Sequence, residues 1–403
     1  MQQIKPEVES FARIRVVGCG GSGGNAVDHM INSRVRGVEF IVINTDSQDL
    51  HHSLAKKKIH IGKNLTRGLG TGMSPEVGKR AAEETKEEIL GAVKGADMVF
   101  ITCGLGGGTG TGASPIVAKT ARELGALTVA IVTKPFSFEG QQRMRIAEQG
   151  LEELKKEVDA LVIIPNDRLM SIIDKDTTAK SAFAMCDSIL RRAVEGISDL
   201  ITIPGTINVD FADIRTVMEN AGSALMGVGI GSGDRRAIDA AKAAISSPLL
   251  EISISGAKGV LFSISGGDDL GMLEIQEAAK LITQSIDPNA KVIFGTTNDD
   301  RLKKGEVKIT VIATGFPDIS SQRGTSLFQA PGKFSESQQE EEPEKQEKKT
   351  IFNTPPIPSM SMQKKEPTTS PPPPEKNRET PQEEDDSDDW GAVPAFLRRS
   401  KLK

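Results

Sequence analysis

Tyrosine is absent from this 403-residue chain, tryptophan occurs once, and aromatic residues make up only 4% of it. A core of this size without many large rings must be packed from Val, Ile, Leu, Ala and Met, which suits parallel strands covered by helices on both faces. Cysteine is scarce as well. Cys19, Cys103 and Cys186 are too few and too scattered for a disulfide framework, and neither C-x-x-C nor a paired His spacing suggests zinc. No apolar run reaches the ~18 residues that would span a membrane, and no secretory leader opens the chain, so a cytoplasmic protein is expected. A formal net charge of -5 offers no basic surplus for a general nucleic-acid binder. G-x-x-x-x-G-K-[ST] does not occur, and neither main glycine cluster contains lysine, so a phosphate bound here is not held in the P-loop manner.

Glycine is what the chain has in quantity, 40 residues of it. The densest run, Gly106-Gly107-Gly108-Thr109-Gly110-Thr111-Gly112, follows the apolar segment Met98–Thr102 through Gly104 and leads into a helical stretch from Ala113 to Leu124. Glycines allow several N–H groups to converge, and a helix N-terminus adds partial positive charge, so a phosphate would sit there favourably. A second cluster, Gly18 to Asn25, contains Gly20, Gly21, Ser22, Gly23 and Gly24, follows Ile14–Val17 and opens another helix. It also reads G-x-G-x-x-G, and Asp46, after the next strand, stands near the place of a ribose-binding acid in a dinucleotide fold. A third loop, Gly68 to Met73 with Thr71 and Gly72, precedes Pro75, a good first helical residue.

Strand candidates at 13–17, 39–43, 97–102, 127–132 and 159–164 alternate with helical patterns, which predicts a doubly wound parallel sheet with ligands beyond the strands' carboxyl ends. A long helix from about 178 to 200 follows, then strand candidates at 225–230, 258–265, 291–296 and 306–314, with helices near 234–245 and 271–284. The expected plan is an N-terminal extension (1–12), a nucleotide-binding domain (13–177), a connecting helix (178–200), a loop and following helix (201–222) and a smaller mixed α/β domain (223–316). Composition then turns to Gln, Glu, Ser, Pro and Lys, predicting a disordered linker over 317–389. Trp390, Phe396 and Leu397 bring apolar groups back before a basic end, so 390–403 reads as a docking peptide.

Polar groups elsewhere could complete a nucleotide site. Glu139 and Arg143, after Pro135 and four residues apart, can share a helix face and would suit a ribose and its phosphate, although such pairs are often solvated salt bridges. Phe183 and Asp187 are also four apart on the long helix. A carboxylate there can accept both adjacent donors of guanine, a pair that adenine lacks, and Asn166 could add a contact. Asn208, Asp210 and Asp213 follow that helix. They could position water and a cation for phosphoryl transfer, or simply cap the next helix. Some 23 residues, or about 35 Å at 1.5 Å per residue, separate them from the base-reading end. If catalytic, they must serve a neighbouring molecule's nucleotide, which implies head-to-tail association.

With these pieces together, the chain resembles the FtsZ family of tubulin-like cell-division GTPases over about residues 11–316 and at the extreme C-terminus. The resemblance implies a tubulin/FtsZ-like α/β fold, GTP/GDP as substrate and product with Mg²⁺, and head-to-tail polymers forming a division ring at mid-cell. Gly106 to Gly112 is similar to the family's signature phosphate loop, and Gly20 to Asn25, Asn44-Thr45-Asp46 and Gly70 to Met73 to its other three loops. The resemblance assigns Glu139 and Arg143 to ribose and phosphate, and Asn166, Phe183 and Asp187 to guanine. It makes Asn208, Asp210 and Asp213 the synergy loop inserted into the next subunit's site. Val393 to Arg398 is similar to the tail peptide that docks on FtsA- or SepF-like membrane tethers, so contact with the membrane would be indirect. Ser22 interrupts what is often an unbroken glycine run, and Thr71 and Met73 stand where smaller residues are common. Two other readings stay open: a nucleotide-binding structural filament with little turnover, and an NAD- or FAD-dependent oxidoreductase built on Gly18–Gly23 and Asp46. The latter lacks an obvious catalytic histidine, since His29, His51, His52 and His60 all lie near the N-terminus.

Overall fold

A computed structural model describes residues 12–170, 177–247, 254–299 and 301–316. The expected linker and docking peptide, and nearly all of the N-terminal extension, lie outside the described residues. Ten strands appear among those described: β1 (Ile14–Cys19), β2 (Val38–Asn44), β3 (Lys57–His60), β4 (Met98–Gly104), β5 (Leu127–Lys134), β6 (Ala160–Pro165), β7 (Gly222–Ser232), β8 (Gly259–Gly266), β9 (Lys291–Asn298) and β10 (Glu306–Thr314). The helices are α1 (Gly20–Asn32), α2 (Ser47–His52), α3 (Lys63–Thr66), α4 (Pro75–Glu84), α5 (Lys86–Val93), α6 (Thr109–Glu123), α7 (Gln141–Glu157), α8 (Asn166–Leu169), α9 (Ala179–Thr202), α10 (Phe211–Met218), α11 (Arg236–Ile245) and α12 (Met272–Thr283).

The strands form a single sheet in the order β3-β2-β1-β4-β5-β6-β7-β10-β8-β9. From β3 to β6 every pairing is parallel, and the strands carry buried side chains on both faces, as apolar runs such as Met98–Ile101 require. One face packs Val16, Phe100 and Ile131 against Val27 and Met30 of α1 and Ile189, Leu190, Val194 and Ile197 of α9. The other packs Val17, Ile101 and Val132 against Ala81 of α4, Ile89 of α5, Val117 of α6 and Leu154 of α7. Beyond β6 the sheet becomes mixed, with β10 antiparallel to both β7 and β8. The two strand sets join where β6 meets β7, in parallel, over Ala160–Val162 and Gly222–Ala224.

Helix α9 runs along this junction. Thr178 starts it, its hydroxyl accepting from Ser181 N at 3.2 Å, and apolar positions at 189, 190, 193, 194, 197 and 200 keep one face buried. Its core also includes Leu261 of β8 and Ile312 of β10, so one helix packs against both parts of the sheet. At the lower end of that contact, Glu195, Asp199 and Asp299 are buried and engage Arg301 and Lys308. Burial beside Glu195 pushes the Asp199 carboxyl up to about 6 despite these cations.

Strand β3 does not appear in the sequence reading, because Lys57-Lys58-Ile59-His60 offers one buried apolar side chain and no alternation to detect. On β7, Gly227, Gly229 and Gly231 alternate along one face, and a side chain on any of them would run into carbonyl groups of α11. The glycines there serve close helix-to-strand approach.

Candidate functional site

A cleft of about 510 Å³ lies beyond the carboxyl ends of β1, β4 and β5, with α9 as one wall. At the end of β1, Cys19 is followed directly by Gly20, whose φ of +70° lets the chain turn into α1. A Cβ on Gly20 would come within 2.7 Å of Gly110 N, so the loop after β1 and the loop after β4 meet backbone to backbone. Gly20, Gly21, Ser22 and Asn25 line the cleft. Gly23 and Gly24 do not: Gly23 lies on Gly18 and the Thr102 carbonyl, and Gly24 faces Val42, so both serve the packing of α1 on the sheet.

The dense run behaves similarly. Gly104, Gly107, Gly108, Thr109 and Gly110 face the cleft, where α6 begins at Thr109 and directs its N-terminal amides inward. Gly106, with φ +96°, is instead packed on the Arg143 carbonyl and Pro135, and its N–H donates to Thr111 Oγ1 at 3.0 Å. Gly106 and Thr111 therefore shape the loop from behind and are not cleft residues. From the third loop Thr71, Gly72 and Met73 line the cleft, and Pro75 is the first residue of α4. Met73 holds φ +62°, a conformation that costs a non-glycine residue about 1 kcal/mol or more.

Asp46 is placed differently from both expectations. It does not line the cleft; it is the N-cap of α2, accepting from Gln48 N at 2.9 Å and Asp49 N at 3.2 Å. The acid on which a dinucleotide reading depends is thus engaged in starting a helix. A short polar side chain just after a strand serves either purpose, and sequence does not separate them.

Pro135, Glu139, Arg143 and Asn166 line the cleft between the glycine-rich loops and the α9 wall. Glu139 and Arg143 do not share a helix, since Gly140 with φ +99° separates the 3-10 turn Ser137–Glu139 from α7. They still meet: Glu139 accepts from Arg143 Nη1 at 2.7 Å and from Phe136 N at 2.9 Å. Two polar atoms here are buried without a protein partner, Arg143 Nε and Asn166 Oδ1. Unpaired buried groups are costly, so their convergence on one cleft points to a polar ligand.

The α9 wall of the cleft combines an aromatic side chain with the Asp187 carboxylate. Phe183 is 47% exposed and meets Phe136 edge to face, while Phe136 stacks on Phe138. Asp187 lies one turn along α9, and burial pushes its carboxyl up to about 6. Cys186 and Leu190 complete this wall, as Cys19, Leu105 and Thr133 do elsewhere. The sequence reading missed these five, although the helical spacing 183, 186, 187, 190 was available to find two of them.

Asn208, Asp210 and Asp213 are not in the cleft. All three are exposed just past the opposite end of α9. Asn208 Oδ1 accepts from Gly205 N at 2.7 Å, and Asp210 caps α10 with Asp213 in a reciprocal arrangement. From Asp187 to Thr202 the helix alone advances about 22 Å.

A family model described as the Tubulin/FtsZ family GTPase domain matches residues 13–174, and the FtsZ family C-terminal domain matches 222–317. An empty FtsZ dimer from M. jannaschii is 46% identical, covering 76% of this chain and 89% of its own, with a TM-score of 0.73. A point mutant of FtsZ from the same organism is 47% identical, covering 76% and 92%, again at 0.73. GDP-bound CetZ1 from Haloferax volcanii shares the fold at 23% identity and TM-score 0.65, covering 76% and 95%. Glycine-rich loops at two helix N-termini and an acid-bearing wall on α9 thus occur on the scaffold that these matches define, and the chain belongs to the FtsZ family of tubulin-like, guanine-nucleotide-binding GTPases of cell division.

Proposed function

We propose that this GTPase assembles head to tail into filaments of the division ring, with Asn208, Asp210 and Asp213 of one molecule completing the nucleotide site of the next. The observation that carries the reading is the separation just described: the cleft holds binding groups, while the exposed acids sit at the far end of α9. The similar FtsZ from M. jannaschii is itself a dimer, which supports association between copies.

In this reading the amides of Gly20–Ser22 and Gly107–Gly110 cradle the phosphates, and Arg143 and Glu139 hold the ribose side. Asn166 and Asp187 bond guanine, with Phe183 against its ring. Water attacks the γ-phosphorus, the bond to the bridging oxygen of the β-phosphate breaks, and GDP and phosphate result. The neighbour's Asp210 and Asp213 orient that water and take up its proton. Mg²⁺ would neutralise charge on the phosphates. Among the described residues no three His, Cys, Asp or Glu side chains converge on a metal. The oxygens on offer are the Thr71 and Thr109 hydroxyls, the nucleotide and water, a set that fits a small hard cation brought in with its phosphates.

Turnover per molecule, measured against protein concentration, tests the reading. Specific activity is expected to stay low and then climb steeply above an assembly threshold; a constant value across that range would establish a self-sufficient monomer. Among the described residues no helix is long and apolar enough to cross a membrane. The apolar and basic composition of residues 390–403 supports assigning localisation to a tail peptide that docks on a membrane tether of FtsA or SepF type. Deleting residues 391–403 is expected to leave GTP turnover within about twofold while removing binding to such a tether on vesicles, and unchanged vesicle binding would refute this assignment.

A further inference from the structure

Three threonine hydroxyls form a chain at the phosphate end. Thr45 Oγ1 lies 2.8 Å from Thr109 Oγ1, and Thr71 Oγ1 lies 3.3 Å from the same atom. Thr71 and Thr109 line the cleft, whereas Thr45 is fully buried behind it. The chain therefore ties the loop after β2 to the loop before α4 through the first residue of α6.

Thr45 is held at its hydroxyl, its N–H and its carbonyl. Its N–H donates to Asn44 Oδ1 at 2.8 Å, and its carbonyl lies 3.0 Å from His60 Nε2. His60 ends β3, so the short edge strand acts as a brace for this one peptide. Thr71 is turned inward: the space that a side chain on Gly108 would need is taken by the Thr71 hydroxyl. A further tie, Ser47 N to Gly68 O at 3.1 Å, holds the start of the loop before α4 and leaves its tip to the Thr71–Thr109 contact.

Each hydroxyl carries one proton, and a chain of three uses two of them internally. The third proton emerges at Thr45, at Thr71 or, where both outer hydroxyls donate to Thr109, at Thr109 itself. If Thr71 donates to Thr109 and Thr109 to Thr45, the spare proton faces the interior. If Thr45 donates to Thr109 and Thr109 to Thr71, it emerges at Thr71, on the cleft side. An anionic oxygen beside Thr71 favours the second polarity, because a charged acceptor makes the stronger bond.

We propose that Thr45 is a positioning residue for the terminal phosphate: it acts through Thr109 to orient the Thr71 hydroxyl as a donor, so that this chain distinguishes tri- from diphosphate. The inference rests on the guanine-nucleotide reading of the cleft and assigns a role to a residue that never touches the ligand.

The full-length chain, titrated at low concentration with GDP and with a non-hydrolysable GTP analogue, provides the test. Thr71→Val keeps the shape and removes the hydroxyl, and should lower analogue affinity about tenfold while GDP affinity stays within about twofold. Thr45→Val should shift the same ratio in the same direction, by about threefold to fivefold, and the double variant should be no worse than Thr71→Val alone. Thr45→Ser, which keeps the hydroxyl and loses only the methyl, should return the wild-type ratio and so separates the hydrogen bond from packing. Equal losses for both nucleotides, or losses in the double variant that multiply, would overturn the proposal. A wild-type chain that bound neither nucleotide would instead overturn the site reading beneath it.

Discussion

Replacing Asp213 with alanine is expected to leave GTP affinity unchanged and to lower turnover about 100-fold, the size of effect typical for loss of one acid–base group. The geometry makes the two readouts separable. Asp213 lies outside the cleft, past the end of α9, so its loss cannot disturb the phosphate loops of its own molecule. Its structural work is modest: it accepts one long bond of 3.4 Å from Asp210 N at the start of α10, and losing such a cap costs about 1 kcal/mol. Mixing gives the sharper result. Mutant subunits added to wild type should depress turnover beyond simple dilution, because each contributes a dead face to a neighbour. Activity that falls only in proportion to the wild-type fraction would show that the acids act within one chain.

The second large effect belongs to Asp187. In Asp187→Ala, affinity for GTP should fall about 100-fold or more and the preference over ATP should collapse, since the carboxylate that we propose distinguishes the two bases is gone. A retained guanine preference would remove Asp187 from this role. Its titration adds a signed prediction for the wild-type protein. Burial holds the carboxyl up at about 6, and only the ionised form can accept two donors from the base. Guanine-nucleotide affinity should therefore be flat above that value and fall about tenfold per pH unit below it. The stability consequence has the opposite sense. A carboxyl whose folded pKa is raised imposes no cost below its unfolded value, near 4; the cost grows as pH rises from there to about 6 and is constant above. Discounted for the partial exposure of the side chain, Asp187→Asn should stabilise the nucleotide-free protein by about 1–2 kcal/mol at neutral pH, readable as a higher Tm.

Much of this architecture was legible because it rests on local patterns. The apolar runs of β1, β4 and β5, the glycine clusters at their ends and the four-residue spacing of Phe183 and Asp187 each carry their meaning within a few residues. What sequence did not reveal depends on direction or on distant partners. Gly23, Gly106 and Thr111 sit inside the glycine-rich motifs yet do not line the cleft: Gly23 packs on Gly18 and the Thr102 carbonyl, and the Gly106 N–H donates to Thr111 Oγ1 behind the loop. Asp46 became a helix cap by a choice that a capping acid and a ribose acid share in sequence. The joining of β6 to β7 is a pairing across some 60 residues and leaves no local mark. His60 took on a role only once β3 existed to carry it to Thr45.

Helix α9 places its own restriction on how such a protein can vary. The cleft-lining residues of α9 lie toward one end of an uninterrupted rod of 24 residues, and the exposed acids follow its other end. Adding a single residue to its middle would lengthen the rod by about 1.5 Å and also swing one end by about 100° relative to the other. Its length can change without loss of phase only in steps of about 7 or 11 residues, near two or three whole turns. The helix works as an indexed shaft, and in a filament built on it the axial repeat and the angular alignment of successive subunits cannot be tuned independently.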